Sequence, residues 1–391
     1  MIDNQQVIEK FNEIYRHRPI FISSAPGRIN LIGEHTDYNG GFVLPVAINQ
    51  GIKMAAILTE EKMLYLFSDY YSELLSISIE NPLNLPKEKS WYSYFLGVLD
   101  QFMRRNIQVP GMKIVISGNV PLGVGLSSSA AYEVCACAML NEITKANLSK
   151  KEIALLSQSA EHSEFVGVQC GIMDQFSSAL GQKDKALFID CYSLNYELVP
   201  FDSNKVNIVI INTMRKRGLV DSEYNQRRKE CEDGLRLISE LSGNDYPSVR
   251  HISLDVFEKH KNKLPLNIRK RLTHNLTENT RVIEFKKALE ENNFIKAGNL
   301  LYQSHKSLRD DFEVSCDELD AIVEIVSNYK RAYGCRMTGA GFGGCAIALA
   351  NPKIVDGFSE FIIKEYRKKV KVEPEIYISQ AANGVLCKQI H

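Results

Sequence analysis

The sequence predicts an α+β protein with two cores, because strand-like and helical stretches both recur along a long chain. With 391 residues, 45% of them apolar, the chain has enough material for two domains. Strand patterns occupy residues 20–56, 109–120, 187–198, 206–212, 345–350 and 375–379. Helical spacing occupies residues 127–140, 151–165, 221–241 and 278–312.

In the first half, a polar segment interrupts the strands of residues 20–56, and Asn39-Gly40 predicts a turn between apolar runs. Apolar residues recur at every second position of residues 109–120, a strand that ends at Pro121. The helix of residues 151–165 places its apolar side chains on one face.

We predict a domain boundary near residues 195–205, which divides the chain into residues 1–200 and 201–391. Residues 242–275 are polar and moderately basic. A solvated helical surface explains this run better than an interaction patch does.

Composition limits the classes of partner. The formal net charge is zero, so charge gives no argument for nucleic acid or an anionic membrane. The first residues are polar, and no apolar run is long enough to cross a bilayer. Nine scattered cysteines without a pair of CxxC motifs predict reduced, mostly buried thiols and a cytoplasmic protein.

The most informative segment is residues 24–41, which places Arg28, Glu34, His35 and Asp37 beside apolar residues. Burying these groups without partners would cost several kcal/mol. The cluster therefore predicts a polar site.

A second segment, residues 121–131, follows a strand with a glycine turn and enters a helix. Small residues let a ligand approach the backbone, and a helix start offers unpaired N–H groups to an anion. Ser127, Ser128 and Ser129 can cap the helix or offer hydroxyls to phosphate or a metal ion. The segment is neither a Walker A loop nor a Rossmann pattern, and by itself it also fits a capped helix.

A third segment, residues 167–176, places Asp174 between apolar residues shortly after Gly171. An Asp in this setting is often a helix cap. It also suits phosphate transfer, which needs a group that positions the attacking hydroxyl and accepts its proton.

Together, and in this order, the segments resemble the galactokinases of the GHMP kinase superfamily, over about residues 21–350. The resemblance implies a two-lobed GHMP kinase fold, with mixed sheets, helices packed on them and an active site in the cleft between lobes. It implies transfer of phosphate from ATP to the anomeric 1-hydroxyl of galactose, with Mg²⁺ as the metal ion.

The resemblance also assigns roles to residues. Asp174 becomes the proton acceptor, and Arg28 stabilises the transition state. Tyr224, which ordinary packing explains equally well, becomes a sugar contact. The residues implied to bind galactose are Glu34, His35, Thr36, Asp37, Gly171, Asp174 and Tyr224.

For ATP, the resemblance implies the second segment together with one earlier serine: Ser68, Gly123, Val124, Gly125, Leu126, Ser127, Ser128 and Ser129. Mg²⁺ would be held by Ser129 and Glu161. One extra residue before Gly167 leaves Glu164 as an alternative ligand. A glycine-rich run, residues 336–345, would pack against the nucleotide loop and support the site.

Other functions stay open at this point. A kinase for N-acetylgalactosamine or arabinose is the nearest rival, whereas mevalonate and homoserine kinases lack the run from Gly33 to Asp37. A non-catalytic galactose sensor belongs to a different class. The intact serine run, Asp174 and Arg28 favour an enzyme, and we expect a monomer.

Overall fold

The computed structural model describes residues 2–81, 85–121, 123–215 and 220–390. Leu122, which belongs to the second segment above, lies outside this part. The helices are α1 (Asn4–Tyr15), α2 (Ser93–Arg104), α3 (Ser128–Thr144), α4 (Lys150–His162), α5 (Met173–Leu180), α6 (Val220–Ser242), α7 (Leu254–His260), α8 (Leu266–Glu290), α9 (Phe294–Asp310), α10 (Asp317–Ser327) and α11 (Val355–Val370).

The strands form three sheets. They are β1 (Phe21–Asn30), β2 (Phe42–Val43), β3 (Pro45–Thr59), β4 (Met63–Ser68), β5 (Glu73–Ser78), β6 (Gly111–Gly118), β7 (Lys185–Asp190), β8 (Asn195–Pro200), β9 (Asn207–Asn212), β10 (Ala332–Thr338), β11 (Cys345–Ala350), β12 (Glu375–Ser379) and β13 (Leu386–Gln389).

The largest sheet has the order β13-β1-β3-β6-β4-β5, and it is mixed because β4 runs parallel to β6 while the other pairs are antiparallel. A second sheet has the order β10-β11-β9-β12 and a third β2-β7-β8. The sequence prediction of an α+β protein with mixed sheets is confirmed.

Helix α3 lies at the centre of the first half. Its residues 130–140 are all buried, and they are mostly apolar around the whole helix, as a core helix requires. This packing explains the apolar surroundings of Cys135 and Cys137. No disulfide joins any of the nine cysteines, all of which lie in the described ranges, and each is buried or half-buried. No helix in the described ranges is both long enough and apolar enough to cross a membrane.

The second half contains α10, α11, β10 and β13 in addition to the predicted elements, and it differs from two of the predictions. The helical stretch of residues 278–312 is divided into α8 and α9, because Asn293 accepts a hydrogen bond from the Lys296 N–H and caps a new helix. The basic run of residues 242–275 is not only a solvated surface. Arg271 is 2% exposed and donates to Glu230 at 2.6 Å and to Glu313 at 2.8 Å.

The predicted division at residue 200 stays a prediction, and two features cross it. Strand β13 pairs with β1, so a segment near residue 389 completes the first sheet. One apolar cluster also combines Ile29 and Val46 with Ile347 and Leu349. The two halves therefore share a core next to the strand that carries Arg28.

Candidate active site

A cavity of about 280 Å³ gathers side chains from all three charged or glycine-rich segments. It is lined by Arg28, Glu34, His35, Asp37, Tyr38, Gly123, Gly125, Ser127, Ser128, Ser129, Cys170, Gly171, Met173, Asp174, Tyr224, Gly339 and Ala340. Twelve of these are predicted site residues. Tyr38, Cys170, Met173, Gly339 and Ala340 were not predicted, although each directly adjoins or belongs to a segment that was.

A bidentate ion pair joins Arg28 to Asp174. The Arg28 Nε donates to Oδ1 and its Nη2 to Oδ2, both at 2.7 Å. The third guanidinium nitrogen, Nη1, donates to the Gly125 carbonyl at 2.8 Å. Burial lowers the pKa of Arg28, but the charges of Asp174 and Glu34 outweigh it and raise that pKa overall. The guanidinium is thus fixed and charged at the floor of the cavity.

The backbone explains how Arg28 reaches this position. The pairing of β1 with β3 shifts register between Pro26 and Arg28. A Cβ on Gly27 would lie 2.6 Å from the Leu126 carbonyl, so only a glycine at this position lets residues 121–131 pack so closely against β1. The Arg28 N–H donates to the same carbonyl at 3.1 Å. Leu126 thus contributes its backbone, and its side chain is buried in the core.

Ser127 does not cap α3 with its side chain. It has a left-handed backbone, φ 56°, and its hydroxyl donates to Asp174 Oδ2 instead of to the helix. Asp174 itself lies in the first turn of α5. Its carboxylate therefore connects the strand β1, the start of α3 and the start of α5.

Glu34 is 2% exposed and accepts four hydrogen bonds. Its Oε2 accepts from Asn30 at 2.8 Å, and its Oε1 accepts from Arg336, Thr338 and the Gly339 N–H at 2.7–3.0 Å. Burial raises the pKa of Glu34, but Arg336 and Asn30 outweigh it and lower that pKa. Three donors of the glycine-rich run thus hydrogen-bond Glu34, while the expected packing of this run against residues 121–131 stays a prediction.

His35 is a neutral donor in an aromatic cluster. Its Nε2 lies 3.2 Å from the Ala340 carbonyl, which can only accept, so Nε2 carries the proton and Nδ1 accepts from the Tyr38 hydroxyl at 2.9 Å. Burial lowers its pKa to about 3. The ring packs at 5.7 Å from Tyr224 and 4.7 Å from Phe312.

The Asp37 carboxylate lies directly against the backbone of Gly171 in the cavity wall. A Cβ on Gly171 would lie 1.9 Å from Asp37 Oδ2, so this glycine makes room for the carboxylate. Burial, and after it the charge of Asp174, raises the pKa of Asp37 to about 7.

Some predicted residues lie behind the cavity wall. Thr36 is fully buried, and its hydroxyl lies 2.8 and 2.7 Å from the carbonyls of Gly33 and Phe42. It therefore stabilises the turn of the first segment. Val124 packs against the shared core rather than lining the cavity.

Ser68 lines a second, smaller cavity of about 60 Å³ that shares Ser128 and Ser129 with the first. Its other walls are mainly aromatic: Tyr70, Tyr71, Trp91, Tyr94 and Tyr132, with Ile52 and Ile116. An apolar, aromatic cavity suits a flat heterocycle.

Of the two glutamates considered as Mg²⁺ ligands, Glu161 rather than Glu164 lies beside Ser129. Glu161 is 6% exposed, accepts from Ser129 and Gln175, and lies 3.1 Å from the Cys170 thiol. Burial raises its pKa. Glu164 is exposed and pairs with Lys87 at 2.9 Å. In the ranges described, no group of three or more His, Cys, Asp or Glu side chains could hold a metal ion by itself.

Three family models match the chain. The one described as the galactokinase galactose-binding signature matches residues 9–57, which include the whole of the charged segment, residues 24–41. The GHMP kinase N-terminal domain matches residues 93–182, and the GHMP kinase C-terminal model matches residues 285–368.

Full-length relatives agree with these matches. A galactokinase of Clostridium perfringens strain ATCC 13124 is 41% identical over 370 residues, covering 94% of this chain and 95% of that protein. The solved structure of Lactococcus lactis galactokinase complexed with galactose has a TM-score of 0.92 at 34% identity, covering 98% and 99% of the two chains.

A more distant structure, Methanococcus jannaschii mevalonate kinase, has a TM-score of 0.67 at 20% identity, covers 94% of this chain and all of that one, and shares the fold alone. Identity above 40% over nearly the whole of both proteins, with a galactokinase-specific signature in the segment that lines the cavity, carries more weight. The chain belongs to the galactokinase family of GHMP kinases.

Proposed function

We propose that this ATP-dependent sugar kinase phosphorylates galactose at the 1-hydroxyl, with Asp174 as proton acceptor and Arg28 as the residue that stabilises the transition state. The observation that carries the proposal is the Arg28–Asp174 pair, which lies between the charged segment and the serine run. A hydroxyl held there meets a carboxylate on one side and a phosphate site on the other.

In the transfer step, the 1-hydroxyl oxygen forms a bond to the terminal phosphorus of ATP while the bond from that phosphorus to the ADP oxygen breaks. The hydroxyl proton passes to an Asp174 oxygen. Arg28 and Ser127 fix the plane of that carboxylate, and the Arg28 charge lies where negative charge develops.

The sugar is held by polar groups of the charged segment. Glu34 Oε2 has one donor in the structure and keeps room for a sugar hydroxyl, whereas Oε1 already has three. Asp37 accepts hydroxyl hydrogen bonds in its ionised form. His35 and Gly171 shape the wall, and the half-buried Tyr224 ring packs against the sugar.

For ATP, the start of α3 offers N–H groups and serine hydroxyls to the phosphates. Gly123, Val124, Gly125 and Leu126 supply the backbone that leads into it. The aromatic cavity with Ser68 then takes the base, because it adjoins Ser128 and Ser129.

Mg²⁺ fits Ser129 and Glu161. Glu161 is a buried carboxylate whose contacts are a hydroxyl, an amide and a thiol, so a cation there would offset the cost of burying its charge. When bound, the ion would neutralise charge on the phosphates. A single carboxylate with one hydroxyl also suits an ion that keeps several waters.

Further expectations stay predictions: a monomer in the cytoplasm, without nucleic acid or membrane as partner. The zero net charge supports the expectation that neither nucleic acid nor a membrane is a partner. Nine cysteines without a disulfide in the described ranges support a reducing compartment.

A panel of sugars tests the substrate. With ATP and Mg²⁺, we expect kcat/KM for galactose to exceed that for glucose, arabinose and N-acetylgalactosamine by at least about tenfold, because unpaired polar groups penalise a wrong hydroxyl pattern. ADP release measures turnover. Equal rates on all sugars would refute the substrate assignment, and galactose binding without turnover would favour a sensor.

Replacing Asp174→Ala should lower kcat by about 10²- to 10⁴-fold, the usual contribution of a positioned proton acceptor. The KM for ATP should change little. Asp310→Ala, an exposed carboxylate paired with Arg309, is the matched control and should leave kcat unchanged. A kcat near the wild-type value in Asp174→Ala would rule out the proposed role.

Glu161→Gln should raise the Mg²⁺ concentration for half-maximal activity by roughly tenfold, since a neutral amide is a poorer ligand for a hard cation. Glu164→Gln, three residues away and exposed, should leave the Mg²⁺ dependence unchanged. Titrating activity against Mg²⁺ for both variants decides between the two glutamates, and the reverse result would assign the ion to Glu164.

Asp37→Asn should raise the melting temperature of the ligand-free protein above pH 7 by roughly 2–4 °C. The folded-state pKa of about 7 lies above the unfolded value of 3.8, so the protonated form stabilises the fold and this stability is lost as pH rises through 7. Below about pH 4 the difference should vanish, because Asp37 is then protonated in both states. Melting curves at pH 4, 6 and 8 measure it; a gain that does not depend on pH would contradict the titration.

A further inference from the structure

Helix α8 carries a stripe of buried polar side chains outside the cavity. His274, Asn275 and Glu278 are fully buried, and Asn279 is 7% exposed. Their spacing of one, four and five residues places all four on one side of the helix. We call these four residues the α8 stripe. None of them lines either of the two cavities described above.

The stripe hydrogen-bonds the start of residues 33–42, which we call the sugar loop. Glu278 Oε1 accepts from the Gly33 N–H at 3.0 Å. His274 Nε2 lies 3.1 Å from the Glu34 carbonyl, and it must be the donor because a carbonyl only accepts. These two contacts fix the backbone at Gly33 and at Glu34, and so they fix the position from which the Glu34 side chain starts.

The same stripe holds the end of the sugar loop. Asn275 Oδ1 accepts from the Asn39 side chain at 2.9 Å, and that amide also donates to the His35 carbonyl at 2.8 Å. Asn279 Oδ1 accepts from the Phe42 N–H at 2.8 Å. Each stripe residue thus makes one contact with the loop.

Neighbouring groups fix the orientation of the stripe itself. The amide nitrogens of Asn275 and Asn279 donate back to α8 carbonyls at 3.1 and 2.8 Å, which leaves each amide oxygen facing the loop. Glu278 also accepts from Ser304 and Arg281, both at 2.6 Å. The stripe is therefore a pre-ordered surface of donors and acceptors.

The sugar loop needs such external partners. Gly33, His35 and Gly40 have φ values of 99°, 61° and 67°, so the loop cannot form a regular ladder of its own. The side chains of Glu34, His35 and Asp37 extend from this backbone into the cavity. A small shift of the loop would move all three together.

We propose that the α8 stripe is a positioning element for the sugar site, setting galactose affinity by fixing the sugar loop without contacting the sugar. The proposal rests on the proposed function, because it assumes that the loop binds galactose. Its residues act through the loop, so they affect galactose binding more than the phosphate-transfer step.

The test uses Asn279→Leu and Asn275→Leu, which keep the approximate size and remove the acceptor. We expect the galactose KM to rise about tenfold in each, while kcat and the KM for ATP stay within about twofold. Hydrogen–deuterium exchange of residues 33–42 should become faster in the ligand-free variants. Asn279→Asp keeps an acceptor for the Phe42 N–H and should stay within about threefold of the wild-type galactose KM.

Thr277→Val is the matched control on the same helix, because its hydroxyl bonds only carbonyls of α8 itself. It should leave exchange and both KM values unchanged. If Asn279→Leu does not fold, Asn279→Ala provides the same comparison without adding bulk.

An unchanged galactose KM, or equal losses in galactose KM, ATP KM and kcat, would overturn the proposal while leaving the galactokinase assignment intact. A wild-type protein that does not phosphorylate galactose would instead refute the proposed function. Exchange of residues 33–42 does not depend on substrate, so it reports on the stripe separately.

Discussion

Arg28 and Asp174 meet across 146 residues of chain, and the site is arranged around their ion pair. The pair brings the end of β1, the start of α3 and the start of α5 to one point. Arg28 is buried and Asp174 half-buried, so the guanidinium in particular would be costly to leave without its partner, and this holds the geometry of the pair. The parts of the cavity wall formed by residues 34–38 and by residues 123–129 take their relative position from this contact.

The cost of burying a charge without partners also explains the hydrogen bonds around Glu34. Glu34 is a buried carboxylate, and it is tolerated because Arg336 and the backbone of the glycine-rich run supply donors from the second half. The loop that carries Glu34 is in turn bonded by α8. Both halves of the chain therefore contribute to holding the sugar loop, although that loop belongs wholly to the first half.

Local patterns predicted much of the fold and most of the cavity. Strands β11 and β12 coincide with the predicted stretches, and twelve predicted residues line the cavity. Where the environment of a residue differs from the one its local sequence suggests, a partner far away in the chain is the cause. Ser127 resembles a helix cap but donates to Asp174. Arg271 lies in a polar run that suggests solvent, yet it is buried against acids from two other segments.

By itself, the sequence determined the fold class, the family and the residue types of the site, since periodicity and local motifs record them directly. Only the tertiary structure decided that Glu161 rather than Glu164 lies at Ser129, that Gly171 makes room for Asp37, and that α8 holds the sugar loop. These contacts join residues far apart in the chain. Their hydrogen-bond partners and burial, and hence their pKa shifts, exist only once the segments have packed together.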